Sequence, residues 1–244
     1  MAPFTLSRKL CAEFLGTMLL LAVVVGSGIM GERLAVGNDA VALLGNTLAT
    51  GVALTVLIMI LGPISGCHIN PAVTLSFVMQ GQIRFPLAAG YVAVQVAGAI
   101  AGVVLAHAMF DLPLIAASTN ARTGMGQWLG EVVATFGLVA AIMGCLRFRP
   151  QAVSVAVGLY ISAGYWFTSS TSFANPAVTV GRALTDTFTG IRPVDVPAFV
   201  LAQIVGAVLA TLLFRWLLTE RMEDVSTPVL RPLRVDRDSD YGPW

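Results

Sequence analysis

Asn70-Pro71-Ala72-Val73-Thr74 reads NPAVT, and Asn175-Pro176-Ala177-Val178-Thr179 reads NPAVT again. Each copy follows a Gly- or Ser-rich break between apolar segments. Asn followed by Pro is a helix-start signal. Asn caps orphan backbone N–H groups, and Pro at the first helical position loses nothing by lacking its own. Two helices are therefore expected to begin here, inside stretches apolar enough to sit in lipid. Non-helical backbone at that depth is tolerated only where it is buried in protein or lines a water-filled cavity, so the duplication points first to a pore built from two halves.

The composition agrees. Of 244 residues, 57% are hydrophobic and 11% charged, with a mean hydropathy of +0.83, well outside the range of soluble domains. The 24 glycines suit close helix approach in membranes. A net charge of +1 gives no reason to expect nucleic acid as a partner. Cys11, Cys67 and Cys145 are scattered and lack metal-type spacing, so neither a disulfide framework, a metal site nor a cofactor is expected. No nucleophile with a neighbouring base, HExxH or phosphate-binding loop is present, and no catalytic residue is assigned.

A spanning helix needs about 20 apolar residues. Six segments serve: about Leu10 to Met30, Val41 to Leu61, Leu87 to Met109, Trp128 to Leu146, Ala152 to Phe167, and Val196 to Leu218. The fifth is short. The first resembles a cleaved leader, with Arg8 and Lys9 before an apolar run, but it carries Glu13, which has a counterpart in Glu131. Two remaining pieces, about Asn70 to Gln80 and Asn175 to Thr185, are long enough for about 15 Å of helix each, half a bilayer. A cytoplasmic N-terminus puts Arg8, Lys9, Arg84, Arg147, Arg149 and the arginines after Leu213 inside, leaving Arg33, Arg122, Arg182 and Arg192 outside, as the positive-inside rule prefers. Both termini are then cytoplasmic, in a plasma or inner membrane. The chain reads as one channel domain over 1–218, with repeats at about 8–109 and 127–218 and a polar tail at 219–244.

The repeat extends beyond NPAVT. Glu13 and Thr17 in the first span match Glu131 and Thr135 in the fourth. Three spans plus a half-helix, an odd number of crossings, force the second copy to insert upside down, so the half-helices meet near the midplane. A carboxylate in the membrane costs roughly 2.5 to 3.5 kcal/mol, so each Glu needs partners. Hydrogen bonds from loop backbone fit this better than proton-relay chemistry.

Ser65, Gly66, Cys67, His68, Ile69 and Asn70 to Thr74 resemble the first signature of the major intrinsic protein family, the aquaporins and aquaglyceroporins. With the second NPA and the paired Glu-x-x-x-Thr elements, the resemblance covers about Leu10 to Leu218. It implies an all-α membrane protein of six spans and two re-entrant half-helices, and a homotetramer with a pore in every subunit. Asn70, Pro71, Ala72, Asn175, Pro176 and Ala177 are then pore residues, with Asn70 and Asn175 as donors, and Glu13, Glu131 and His68 support the loops. The family usually has Arg directly after the second NPA, where this chain has Val178. Carried over by spacing, the other three positions of the selectivity filter fall on Thr50, Ala163 and Ser172, all small. The expected solutes are small and neutral: glycerol-like polyols, urea, metalloid acids such as arsenous acid, and water, as in bacterial aquaglyceroporin-type metalloid channels. A water-selective pore re-narrowed by Phe173 or Trp166 is the alternative, ahead of a coupled transporter or a non-conducting structural protein. Arg182 reads as a rim residue paired with Asp186, against a competing reading in which it leans over the pore mouth. Cys67 reads as a small residue of the loop rather than a reactive thiol.

Overall fold

The computed structural model describes residues 4–219; the expected tail lies outside the described residues but for its first member. Among the described residues the chain is all helical: α1 Leu6–Ala35, α2 Asp39–Ser65, α3 Pro71–Met79, α4 Phe85–Met109, α5 Met125–Phe148, α6 Val153–Phe167, α7 Pro176–Arg182 and α8 Val196–Leu217. Five of these, α1, α2, α4, α5 and α8, are long and apolar enough to cross a membrane. The sixth expected span is α6. It has only 15 residues, and a 3-10 turn at Pro150–Ala152 leads into it.

The starts follow local chemistry. Asn38 opens α2 with its side chain accepting from Val41 N–H at 3.2 Å. Asn70 and Asn175 open α3 and α7, each followed by Pro at the first helical position. The half-helices are shorter than expected, nine and seven residues, or roughly 13 and 10 Å. The last turn of α7 tightens through Ala183 N–H to Val180 O and Leu184 N–H to Gly181 O, the usual way a helix end disposes of orphan carbonyls. The chain then doubles back so that Ile191 N–H reaches Arg182 O at 3.2 Å.

Packing repeats with the sequence. In the first half α1 lies against α2 and α4; in the second α5 lies against α6 and α8; α2 and α6 join the halves. The half-helices exchange sides, α3 packing on α8 and α7 on α4. Gly98 lets α4 come against the α1 backbone at Phe14, and Gly206 does the same for α8 at Val132, where a Cβ would overlap a carbonyl oxygen in both cases. The outer faces expose Leu19, Val52, Ile60, Val133, Leu159 and Leu209. In water such a surface would be untenable; facing hydrocarbon it is the expected finish for an integral membrane protein.

Candidate functional site: a cavity between two half-helices

The two segments that precede the NPA triplets are built from backbone that side chains usually avoid. Gly66, Cys67 and Ile69 have φ of 91°, 47° and 41°, and Thr171, Ser172 and Ala174 have 60°, 51° and 49°. Left-handed backbone at non-glycine positions costs energy and persists where the surroundings fix it. Here the surroundings are two carboxylates. Glu13 on α1 accepts from Ser65 Oγ at 2.7 Å, His68 N–H at 2.9 Å, Ile69 N–H at 2.6 Å and Gln95 Nε2 at 2.8 Å. Glu131 on α5 accepts from Phe173 N–H at 2.8 Å, Ala174 N–H at 2.9 Å and Gln203 Nε2 at 2.6 Å. Both are fully buried, and these bonds answer the desolvation that burial imposes.

Gln95 and Gln203 were not singled out from sequence. Each also donates to the Thr of its NPAVT, Gln95 to Thr74 at 3.2 Å and Gln203 to Thr179 at 2.8 Å. A signal was present: Gln95-Val96-Ala97-Gly98-Ala99 and Gln203-Ile204-Val205-Gly206-Ala207 are a second duplicated motif.

At the middle the two asparagines face each other's loops. Asn70 Oδ1 accepts from Ala72 N–H at 2.8 Å while its Nδ2 donates to Ala174 O at 2.7 Å. Asn175 Oδ1 accepts from Ala177 N–H at 3.0 Å while its Nδ2 donates to Ile69 O at 2.8 Å. An amide nitrogen carries two hydrogens, so each Asn keeps one donor for the cavity that both line. Leu20, Val24, Leu54, Leu138 and Ile142 form the apolar wall of that cavity.

Three of the four expected filter positions line it: Thr50, Ser172 and Val178. Ala163 does not. It lies on the exposed side of α6, and Tyr165 faces the cavity instead, its hydroxyl donating to Thr50 Oγ1 at 3.3 Å. The reason is helical. Val157, Ile161 and Tyr165 line the cavity at four-residue spacing, and a residue two positions from Ile161 is rotated by about 200°, onto the opposite face. Of the four expected side chains three line the cavity, and on α6 a tyrosine lines it where Ala163 does not.

Arg182 is corrected too. It is 2% exposed, it lines the cavity, and its Nε donates to Thr189 O. Asp186, its expected partner, instead accepts from Thr119 N–H at 2.8 Å and Thr119 Oγ at 2.9 Å. The Arg182 guanidinium lies 3.4 Å from the centre of the Phe173 ring, and that of Arg122 lies 5.1 Å from the same ring. Arg122 is fixed by Gly190 O at 2.7 Å and Ser170 O at 3.4 Å. Phe173 and Trp166 were the expected re-narrowing residues; Phe173 lines the cavity, whereas Trp166 is exposed.

At the other mouth His68 lines the cavity, with Nδ1 3.1 Å from Thr74 Oγ1 and its ring 4.3 Å from that of Phe77. Cys67 is buried beside it, Sγ 3.5 Å from Leu57 O. His107 lies away from the cavity, binding Pro113 O at 2.6 Å and Thr185 Oγ1 at 2.7 Å, and ties the end of α4 to the loop after α7.

Residues 2–149 and 146–232 match the family described as major intrinsic protein. Aquaglyceroporin AqpS of Rhizobium meliloti (strain 1021) is 58% identical over 218 residues, covering 89% of this chain and 93% of that protein. Aquaporin AqpM of Methanothermobacter marburgensis is 34% identical over 245 residues, covering 88% and 99%. The X-ray structure of the aquaglyceroporin from Plasmodium falciparum resembles this chain with a TM-score of 0.70 over 86% of it and 96% of that chain, at 21% identity, a likeness of fold.

Proposed function

The chain belongs to the major intrinsic protein family, and from that premise we propose that it is a passive channel for small uncharged solutes: glycerol-like polyols, metalloid acids such as arsenous acid, and water. The observation that carries this reading is the lining of the cavity. Amide donors from Asn70 and Asn175 sit at its middle, and the hydroxyls of Thr50, Tyr165 and Ser172 surround the mouth nearer α7, with Val178 where the family usually carries Arg. A solute stripped of water in single file needs replacement hydrogen bonds, and hydroxyls supply them without fixing a charge. The helix starts at Asn70 and Asn175 each present roughly half a positive elementary charge, which repels a cation and leaves a neutral molecule alone. The similarity to a protein named an aquaglyceroporin supports the same solute class. The distribution of Arg and Lys supports cytoplasmic termini, and the family resemblance supports a homotetramer with one pore per subunit. The protein acts as a channel, not an enzyme.

The Tyr165 hydroxyl at 3.3 Å from Thr50 favours a second reading, a water-selective pore, because an aromatic ring occupies the mouth that four small residues would have left open. Flux into vesicles by light scattering separates the two. The unmodified protein is expected to pass water, glycerol and arsenous acid. Val178→Arg is expected to cut glycerol entry by about tenfold, the equivalent of 1.4 kcal/mol of added barrier, while water stays within about twofold. If only water passes the unmodified protein, the water-selective reading holds.

A further inference from the structure

Val178 leaves the position beside the second NPA uncharged, yet a guanidinium is buried one helical turn further on. Residues four apart share a helix face, so Arg182 projects over the same part of the cavity that Val178 lines. The corresponding position of the first repeat, seven residues after the NPA asparagine, is Phe77. A cation 2% exposed carries a large desolvation cost unless its surroundings repay it. Arg182 has three sources of repayment: the Thr189 carbonyl that accepts from Nε, the face of Phe173, and the cavity itself. No protein group accepts from its Nη1 or Nη2 among the described residues. The buried Ser172 hydroxyl, also on the cavity, is likewise without a protein partner.

We propose that Arg182 sets the selectivity of this mouth, its fixed charge excluding cations and its free Nη–H groups donating to the hydroxyl oxygens of the passing solute. The charge is displaced by one turn from the position beside the NPA and is held against Phe173, with the Arg122 guanidinium 5.1 Å from the centre of the same ring adding to the positive field. Width and charge are thereby separated: Val178 leaves room, and Arg182 supplies the barrier. This assignment rests on the channel reading above.

The test uses the full chain in vesicles. Proton and potassium leak under an imposed potential is read with an internal pH dye, beside water and glycerol flux. The unmodified protein is expected to carry neutral solutes with cation leak no higher than that of protein-free vesicles. Arg182→Gln is expected to raise the leak by about tenfold or more, as losing a full charge beside the path requires, and to lower glycerol flux by a few-fold, since an amide replaces only part of the guanidinium's donors. Arg182→Lys is expected to remain tight, and Val178→Arg combined with Arg182→Gln to recover tightness. Arg182→Gln that conducts glycerol without extra leak overturns the assignment, as does an unmodified channel that already leaks. Should Arg182→Gln fail to assemble, Arg182→Met, which keeps the apolar stem without the charge, serves in its place, and unchanged leak in that variant overturns the assignment equally. An unmodified protein that passes no neutral solute fails the channel reading instead, and that result is distinct.

Discussion

At one mouth of the cavity the ring of His68 lies 4.3 Å from that of Phe77; at the other the ring of Phe173 lies 3.4 Å from the Arg182 guanidinium. The four residues are pairwise equivalent, two before and seven after an NPA asparagine. Their supports are equivalent as well. Tyr91 packs on His68 at 5.3 Å and Phe199 on Phe173 at 5.2 Å, each four residues before the Gln that binds its carboxylate. One backbone plan is therefore used twice and filled differently, neutral at the first mouth and cationic at the second. The plan follows from hydrogen-bond bookkeeping in a medium without water. The filling is free to differ because side chains on the cavity answer to the solute and not to the fold.

The largest way to break that equivalence is through the carboxylates. Glu131→Leu leaves the N–H groups of Phe173 and Ala174 and the Gln203 amide without their acceptor, and Glu13→Leu does the same to His68, Ile69 and Gln95. At about 1–3 kcal/mol for each unpaired buried donor, either loss consumes most of a typical stability of about 5–15 kcal/mol. Both variants are expected to lose folded protein in detergent, judged by size exclusion and thermal unfolding, with Gln in place of Glu much milder. If one leucine variant is tolerated and its twin is not, the two loops are not held by equivalent supports.

A smaller effect sharpens the difference between the mouths. On α2 the cavity side carries Thr50, Leu54 and Ile58, none of them aromatic, whereas on α6 it carries Tyr165. Tyr165→Ala is expected to raise glycerol flux by several-fold, since removing an aromatic side chain at a constriction gives up a steric barrier of order 1 kcal/mol, and each 1.4 kcal/mol is tenfold in rate. Ala163→Phe, on the outer face of α6, is expected to leave flux unchanged. The opposite pattern would return Ala163 to the filter.

That pair of variants also marks where the sequence stops being readable. The half-helices, the inverted repeat and the need for partners around Glu13 and Glu131 were legible because duplication, capping and burial cost are properties of the chain itself. Tyr165 was not, because counting back from Asn175 assumes a fixed loop length. The cavity face of α6 is set by its own helical phase, on which Val157, Ile161 and Tyr165 fall, and the twelfth position back from Asn175 lies between the last two of them, on the other face. Arg182 was misplaced for another reason. Its i+4 neighbour Asp186 suggests a helical ion pair, but α7 ends at Arg182, so no fourth residue follows on that face.

The smallest expected effect lies at Cys67 and Ser172, which occupy the same place in the two loops with φ of 47° and 51°. With φ so similar, exchange adds little strain at either position, and Cys and Ser differ by one atom of similar reach. Cys67→Ser is therefore expected to leave glycerol flux within about twofold, below the roughly 0.5 kcal/mol expected of a substitution that creates no cavity and unpairs no group. Ser172→Cys puts a thiol next to Phe173 at the second mouth, where a mercurial reagent added to that side should block flux in this variant and much less in the unmodified protein. A fall of fivefold or more in Cys67→Ser, with Ser172→Cys neutral, would mean that the equivalence ends at the backbone and that the first mouth has a selectivity of its own, set by the thiol beside His68.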